Sequence, residues 1–314
     1  MQTHHISLLT KDAKQNIHFY TQVLGLRLVK NSVNQENIHI RHLFYGDYLG
    51  TPGSVITFFV VPFLGHRTDG NHFINGFRLA IPTGSKAFWK DRLFDNGITT
   101  METNNQLIFN DPDQIPITMV ETDNQLTEWQ IVPHNGIDPK YQISRFLGTE
   151  LHVPDVSASQ AFFEQLLNLT VTDNIVELEG AEQIKLVATN DFEQVTRFGR
   201  GSIDHVALRV TDEKELLHYY QLAQDQGWDI EMYRDRGWFK SLYIREPGDN
   251  RIELATPTPG FSLDEPILTL GNSLGLPPKF ESQRQTIMDY YAKQGVDFSD
   301  DGDLSQRDDF NVEH

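Results

Sequence analysis

Three side chains that bind divalent metals well stand at matched places in this 314-residue chain: His5, His205 and Glu253. Two neutral imidazoles and one carboxylate can hold an ion from one side and leave its other positions open. That arrangement lets non-haem iron(II) take a substrate and O₂ side by side, and zinc or manganese suits the same ligands. No cysteine occurs, so thiolate metal sites, disulfides and thiol nucleophiles are excluded, and any metal must rest on His, Asp or Glu. A lone strand histidine is ordinarily a packed or solvated residue. Three ligand residues in register need a positional reason.

An internal repeat supplies it. Residues 5–12 read HISLLTKD and are followed by Phe19-Tyr20 and Leu24-Gly25-Leu26. After Asp155 the spacing recurs in Phe162-Phe163 and Leu167-Asn168-Leu169, and HVALRVTD at 205–212 leads to Tyr219-Tyr220 and Gly227. A weaker copy, FRLAIPTG at 77–84, carries Gly84 where the aspartate belongs. Each copy opens with an apolar β-type stretch, then an N-cap and a helix-period segment with aromatics on one face. Strand-type runs such as HIRHLFYG, SVITFFVV, KSLYIREP and RIELAT follow, separated by turn residues.

The spacing therefore predicts an α+β fold of four βαβββ modules forming two open β-barrels. The modules span 1–65, 66–140, 141–199 and 200–260, with a C-terminal extension and acidic tail over 261–314. Seven residues before each anchor stand His5, Phe77, Gly148 and His205. Pairing module one with module four puts both histidines in one barrel and leaves Phe77 and Gly148 to line a metal-free barrel of modules two and three. In RIELAT, Glu253 shares a strand face with Arg251 and Ala255. The matching strand of module one, SVITFFV, offers Thr57 and no carboxylate.

The net charge of −18, from 44 acidic and 26 basic side chains, argues against nucleic acid and anionic membranes as partners. Much of the surplus lies in DFSDDGDLSQRDD at 297–309, the pattern of a solvated end. Hydrophobic residues at 39% and charged residues at 22% are ordinary for a folded protein. MQTHHISLLTKD lacks the basic-then-apolar pattern of a leader, and no apolar run reaches bilayer length, so the cytoplasm is expected. A homo-oligomer is left open.

The modules resemble the vicinal-oxygen-chelate superfamily, which includes glyoxalase I, bleomycin-resistance proteins and extradiol dioxygenases. More closely, HHISLLTKDAKQNIHFYTQVLGLRLVKNSVN, HLFYGD and DRGWFKSLYIREPGDNRIELATPTPGF are similar to ring-cleaving dioxygenases related to hydroquinone dioxygenases. The likeness runs from about residue 4 to 262. It implies Fe(2+) on His5, His205 and Glu253, with an aromatic diol and O₂ as substrates. It also implies roles for His4, Tyr243 and Arg236. Asp204 stands where some hydroquinone dioxygenases carry a second histidine, and Ser7 where a threonine-type residue is usual; both bear on the substrate.

Strand parity turns Tyr243 toward the interior with Ser241 and Arg245, where its phenol could donate to a substrate oxygen. Arg236 could hold an anionic oxygen, or pair with Asp235 or Asp229. His4 alternates away from His5 unless the strand twists near its end. His42 and His39 border the same barrel and are candidate acid–base groups, whereas His152 reads as a packed histidine of the metal-free barrel. Two other functional classes compete: a glyoxalase-like isomerase or lyase, which would need a fourth ligand from module one, and a metal-free protein that sequesters a small aromatic molecule.

Overall fold

The computed structural model describes residues 1–123, 126–189 and 193–299. The acidic tail from residue 300 onward lies outside them. The chain repeats one order of elements four times. The first module is β1 (Gln2–Thr10), α1 (Ala13–Ile17), β2 (Arg27–Val33), β3 (Arg41–Gly46) and β4 (Val55–Val60). The second is β5 (Phe73–Pro82), α2 (Lys86–Asp95), β6 (Met101–Glu102), β7 (Gln106–Asn110) and β8 (Pro116–Thr122). The third is β9 (Arg145–Val153), α3 (Val156–Gln165), β10 (Val171–Thr172), β11 (Ile175–Glu177) and β12 (Gln183–Ala188). The fourth is β13 (Ile203–Arg209), α4 (Glu213–Gln226), β14 (Asp229–Asp235), β15 (Lys240–Arg245) and β16 (Arg251–Ala255).

The anchor residues explain why each first strand stops and a helix starts. Asp12, Asp155 and Asp212 each accept a hydrogen bond from the backbone N–H three residues on, at Gln15, Ala158 and Glu215. The weak copy is capped from elsewhere: Glu121 Oε1 accepts from the N–H groups of Gly84 and Lys86. Aromatic pairs on the helices then bury one face of the sheet. Ile6, Leu8, Val206 and Leu208 pack there with Phe19, Tyr20, Phe162 and Phe163 in the main core.

Strand pairing sets which modules share a site. β1 lies antiparallel to β13, and β5 antiparallel to β9. One half of the molecule is thus built from the first and fourth modules, the other from the second and third. The halves meet where Ile203 pairs with Ile74, making a continuous 16-stranded sheet whose two arcs are the open barrels.

The segment after β16 straps the outer edge of the first module. Buried Lys30 pairs with Asp264 and Glu265, Arg27 donates to the carbonyls of Ile267, Leu268 and Leu270, and Gly275 N–H donates to Asn31 O. Helix α5 (Arg284–Ala292) adds Ile287 and Tyr291 to a small core with Val33, Leu274 and Phe298. An edge strand that would otherwise offer unpaired backbone groups is covered.

Candidate metal centre

His5 and His205 sit on neighbouring antiparallel strands, and two β-bulges aim them. In the β1–β13 register Thr3 pairs with Leu208 and His5 with Ala207, leaving His4 extra; Ser7 pairs with His205 and Leu8 with Ile203, leaving Asp204 extra. A bulge sets two residues against one and re-aims their side chains. His4 is therefore not turned to the opposite face from His5, as simple alternation expects: the rings touch, with centroids 5.1 Å apart, and both lie against Phe239. The cause is the bulge, not strand twist.

The three ligand-type atoms converge. His205 Nε2 lies 2.9 Å and His5 Nε2 3.3 Å from Glu253 Oε2, and the two Nε2 atoms are 3.2 Å apart. All three residues are buried, Glu253 completely. Among the described residues they form the one group of His and carboxylate side chains whose geometry could hold a metal ion. Glu253 Oε1 accepts from Ser241 Oγ at 2.5 Å, whereas Oε2 is buried with no hydrogen-bond partner despite both imidazoles beside it. A buried carboxylate oxygen without a partner is costly. It fits a ligand atom that faces an ion in company with the two nitrogens.

The far side of each imidazole fixes its tautomer. His4 Nε2 lies 3.2 Å from the Thr256 carbonyl, which can only accept, so Nε2 carries the hydrogen. Burial, with His5 adjacent, lowers the His4 pKa to about 3, so the ring is neutral and its Nδ1 accepts from His5 Nδ1 at 2.9 Å. His5 Nε2 is then a lone pair aimed at the centre. On the other strand Asp204 Oδ2 accepts from His205 Nδ1 at 2.7 Å and frees that Nε2 as well. Such outer partners orient metal-binding histidines and raise their basicity. Burial opposes charge on Asp204, but His205 and Arg251 outweigh it and bring its pKa to about 2. Burial likewise opposes ionisation of Glu253, and positive charge at the His5 and His205 nitrogens that face it, a proton there or a shared cation, holds it well below the ordinary carboxylate range.

A cavity of about 210 Å³ opens over the centre, walled by Phe44, Phe59, Met232, Trp238 and Phe239. Drug-sized ligands occupy pockets of ~300 to 1,000 Å³, so this one suits a small ring. Tyr243 and Arg236 stand in it together: the phenol oxygen accepts from Arg236 Nε at 3.2 Å and Nη2 at 3.1 Å. Burial raises the Tyr243 phenol, which stays protonated. Arg236 pairs with neither Asp235 nor Asp229; its Nη1 meets Glu36 at 3.3 Å, and Gln35 donates to its carbonyl. Glu36 lies on the loop after β2 and offered no sequence signal, because only the meeting of the first and fourth modules brings it there.

His42 also lines the cavity, its Nε2 2.9 Å from Thr57 Oγ1, which lies 2.7 Å from Ser7 Oγ. Burial lowers its pKa well below the ordinary value, so it is neutral. His39 is elsewhere, against Tyr290 of α5. His152 is stacked on Phe73, its Nε2 3.4 Å from Glu150 Oε2, a partly exposed strand histidine and not a core one. Phe77 does not line the second barrel either. It belongs to the helix-covered core, and the bulge at Gly76 shifts the register so that Gly76 takes the place of His5.

Comparison with known proteins agrees with this architecture. The family model described as the Glyoxalase/Bleomycin resistance protein/Dioxygenase superfamily matches residues 2–77 and 145–254. The chain is 33% identical to the Bacillus subtilis (strain 168) protein named "Putative ring-cleaving dioxygenase MhqA", over 90% of this chain and 96% of that one. It is 25% identical to the chlorohydroquinone/hydroquinone 1,2-dioxygenase of Sphingobium indicum, over 91% and 94% of the two chains. The crystal structure of a Bacillus subtilis protein described as a "putative dioxygenase" superposes with a TM-score of 0.83 at 28% identity, covering 94% of this chain and 96% of that one. With the repeated module, the paired halves and the buried His–His–Glu group all in place, the chain belongs to the glyoxalase/bleomycin resistance protein/dioxygenase superfamily.

Proposed function

We propose that this protein is an iron(II)-dependent, extradiol-type ring-cleaving dioxygenase acting on a hydroquinone or catechol-like diol with O₂. The observation that carries the reading is the one-sided convergence of His5, His205 and Glu253 beneath a small aromatic-walled cavity. The relatives named as ring-cleaving and hydroquinone dioxygenases support the same chemistry. Held by these ligands, iron(II) would supply a redox-active Lewis acid with open positions for a diol oxygen and O₂.

The protein's own groups divide the remaining work. Phe44, Phe59 and Phe239 exclude water and stack on a ring. Tyr243, its oxygen held by Arg236, presents a phenol proton to a substrate oxygen that gains charge, and the guanidinium behind it adds a fixed positive field. His42, neutral in the wall, takes a substrate hydroxyl proton and exchanges it along Thr57 Oγ1 and Ser7 Oγ.

A glyoxalase-like reaction using the metal only as a Lewis acid would call for a fourth ligand. The strand position matching Glu253 is Thr57, paired with Ser7 as Glu253 is with Ala207, and its hydroxyl is engaged by Ser7 and His42. Anaerobic loading with iron(II), manganese(II) or zinc(II), followed by O₂-electrode assays on a panel of hydroquinones and catechols, tests the reading. Uptake with iron and not zinc is expected; no iron-dependent uptake with any diol would refute it.

A further inference from the structure

The second half of the molecule has its own cleft, of about 510 Å³, lined by Arg78, Val120, Thr122, Arg145, Leu147, Ala181 and Gln183, and by Asp123, whose Oδ1 accepts from Thr83 Oγ1 at 2.8 Å. It lies on the same sheet face as the metal centre does in the first half. Ser7 pairs with His205 and Arg78 pairs with Gly148, so Arg78 and Gly148 occupy the places of Ser7 and His205. Gly148 cannot be replaced by a ligand residue, because a Cβ there would collide with the Gln183 carbonyl. With no side chain between them, Arg78 and Gln183 reach across it, Nη1 to Oε1 at 3.5 Å.

Among the described residues no ion pair reaches Arg78 or Arg145, in a chain where acids outnumber bases 44 to 26. Arg145 is seated on Gly180: its Nη2 donates to the Gly180 carbonyl, and a side chain at 180 would strike the guanidinium. Its Nε is buried with no hydrogen-bond partner. Glu150 and Glu182 act on the two arginines only through space, Glu182 being engaged by Thr3 N–H. Arg145 pairs in register with Ala80, two residues from Arg78 on the same strand, so the two arginines stand at diagonal positions, and both line this cleft.

We propose that this cleft is a second binding site, for a small organic carboxylate held between Arg78 and Arg145. Paired guanidiniums suit planar anions, which they engage through two parallel hydrogen bonds. Val120, Leu147 and Ala181 supply an apolar wall that an inorganic anion would not use. The site stands independently of which metal the other half holds.

The probe is 4-fluorobenzoate, titrated by fluorine NMR into metal-loaded protein and into E253A, which is expected to be metal-free, with inorganic phosphate as competitor and light scattering alongside. Saturable binding is expected, weakened about tenfold or more in R78Q and in R145Q, unchanged in E253A, and displaced poorly by phosphate. Should R145Q fail to fold, R78Q alone carries the comparison. Absence of saturable binding, equal affinity in the arginine variants, or loss in E253A only would overturn the proposal. So would displacement by phosphate at equal concentration, or a change of oligomeric state in R78Q, which would assign the arginines to a second copy of the chain.

Discussion

The two halves share one plan and differ at a handful of matched positions. Where the first half has His205 on β13, Glu253 on β16 and Asp204 at a bulge, the second has Gly148, Lys185 and Leu147. Gly76, at the place of His5, could not carry an imidazole either: φ is +62° and a Cβ would lie 2.6 Å from the Pro116 carbonyl. The fold therefore provides two equivalent cradles, and the side chains at the bulges decide which of them can hold an ion. Bulges in the first half carry residues that orient ligands; in the second they let backbones approach closely.

The largest contrast expected is between Glu253→Ala and Lys185→Ala, matched substitutions in the two halves. The first should lose bound metal and activity together, because it removes a ligand; the second should leave both unchanged. Metal analysis of purified variants reads the difference. Within the first half, Tyr243→Phe should retain metal and lower kcat by ~10² to 10³, the effect of one donor aimed at developing charge. Full activity in that variant would remove Tyr243 from the chemistry.

Gly148→Ala tests the second half as a structural device. Forcing a Cβ against the Gln183 carbonyl should cost about 3 kcal/mol in urea denaturation, at the upper end of overpacking effects. A smaller cost falls on metal affinity in Asp204→Asn, predicted to weaken it ~10- to 100-fold by loosening His205, with the fold intact. Unchanged affinity would show that the neighbouring aspartate does not orient the ligand.

Two buried carboxyls sharpen the comparison further, since Glu253 is held ionised while burial raises Asp111, hydrogen-bonded to Tyr20, to about 7. The folded state thus binds a proton that the unfolded chain releases near the ordinary aspartate value of 3.8. The resulting stability is complete below that value and is lost as pH rises through about 7. Thermal melts between pH 5 and 8 should fall with pH in the native protein and fall less in Asp111→Asn; parallel curves would contradict the assignment.

Much of this was legible in the sequence because the repeat carries its register with it. N-capping aspartates mark the end of the first strand in three of the four modules, and counting back from Asp12 and Asp212 finds His5 and His205; strand alternation in RIELAT finds Glu253. Bulges erase that counting. His4 and Asp204 owe their orientation to an extra residue with no compositional mark, and the bulge at Gly76 put Phe77 one place out of register. Contacts made only when distant modules meet were equally silent: Glu36 with Arg236, Thr256 with His4, and Lys30 with the strap at Asp264 and Glu265.

Isotope labelling addresses ring cleavage by this centre most directly. Iron-loaded protein would be given a hydroquinone and oxygen-18 gas, and the ring-opened product analysed by mass spectrometry. Both atoms of one O₂ molecule should appear in that product, and none should form without iron or in Glu253→Ala. A product formed anaerobically, or carrying only solvent oxygen, would contradict the dioxygenase assignment.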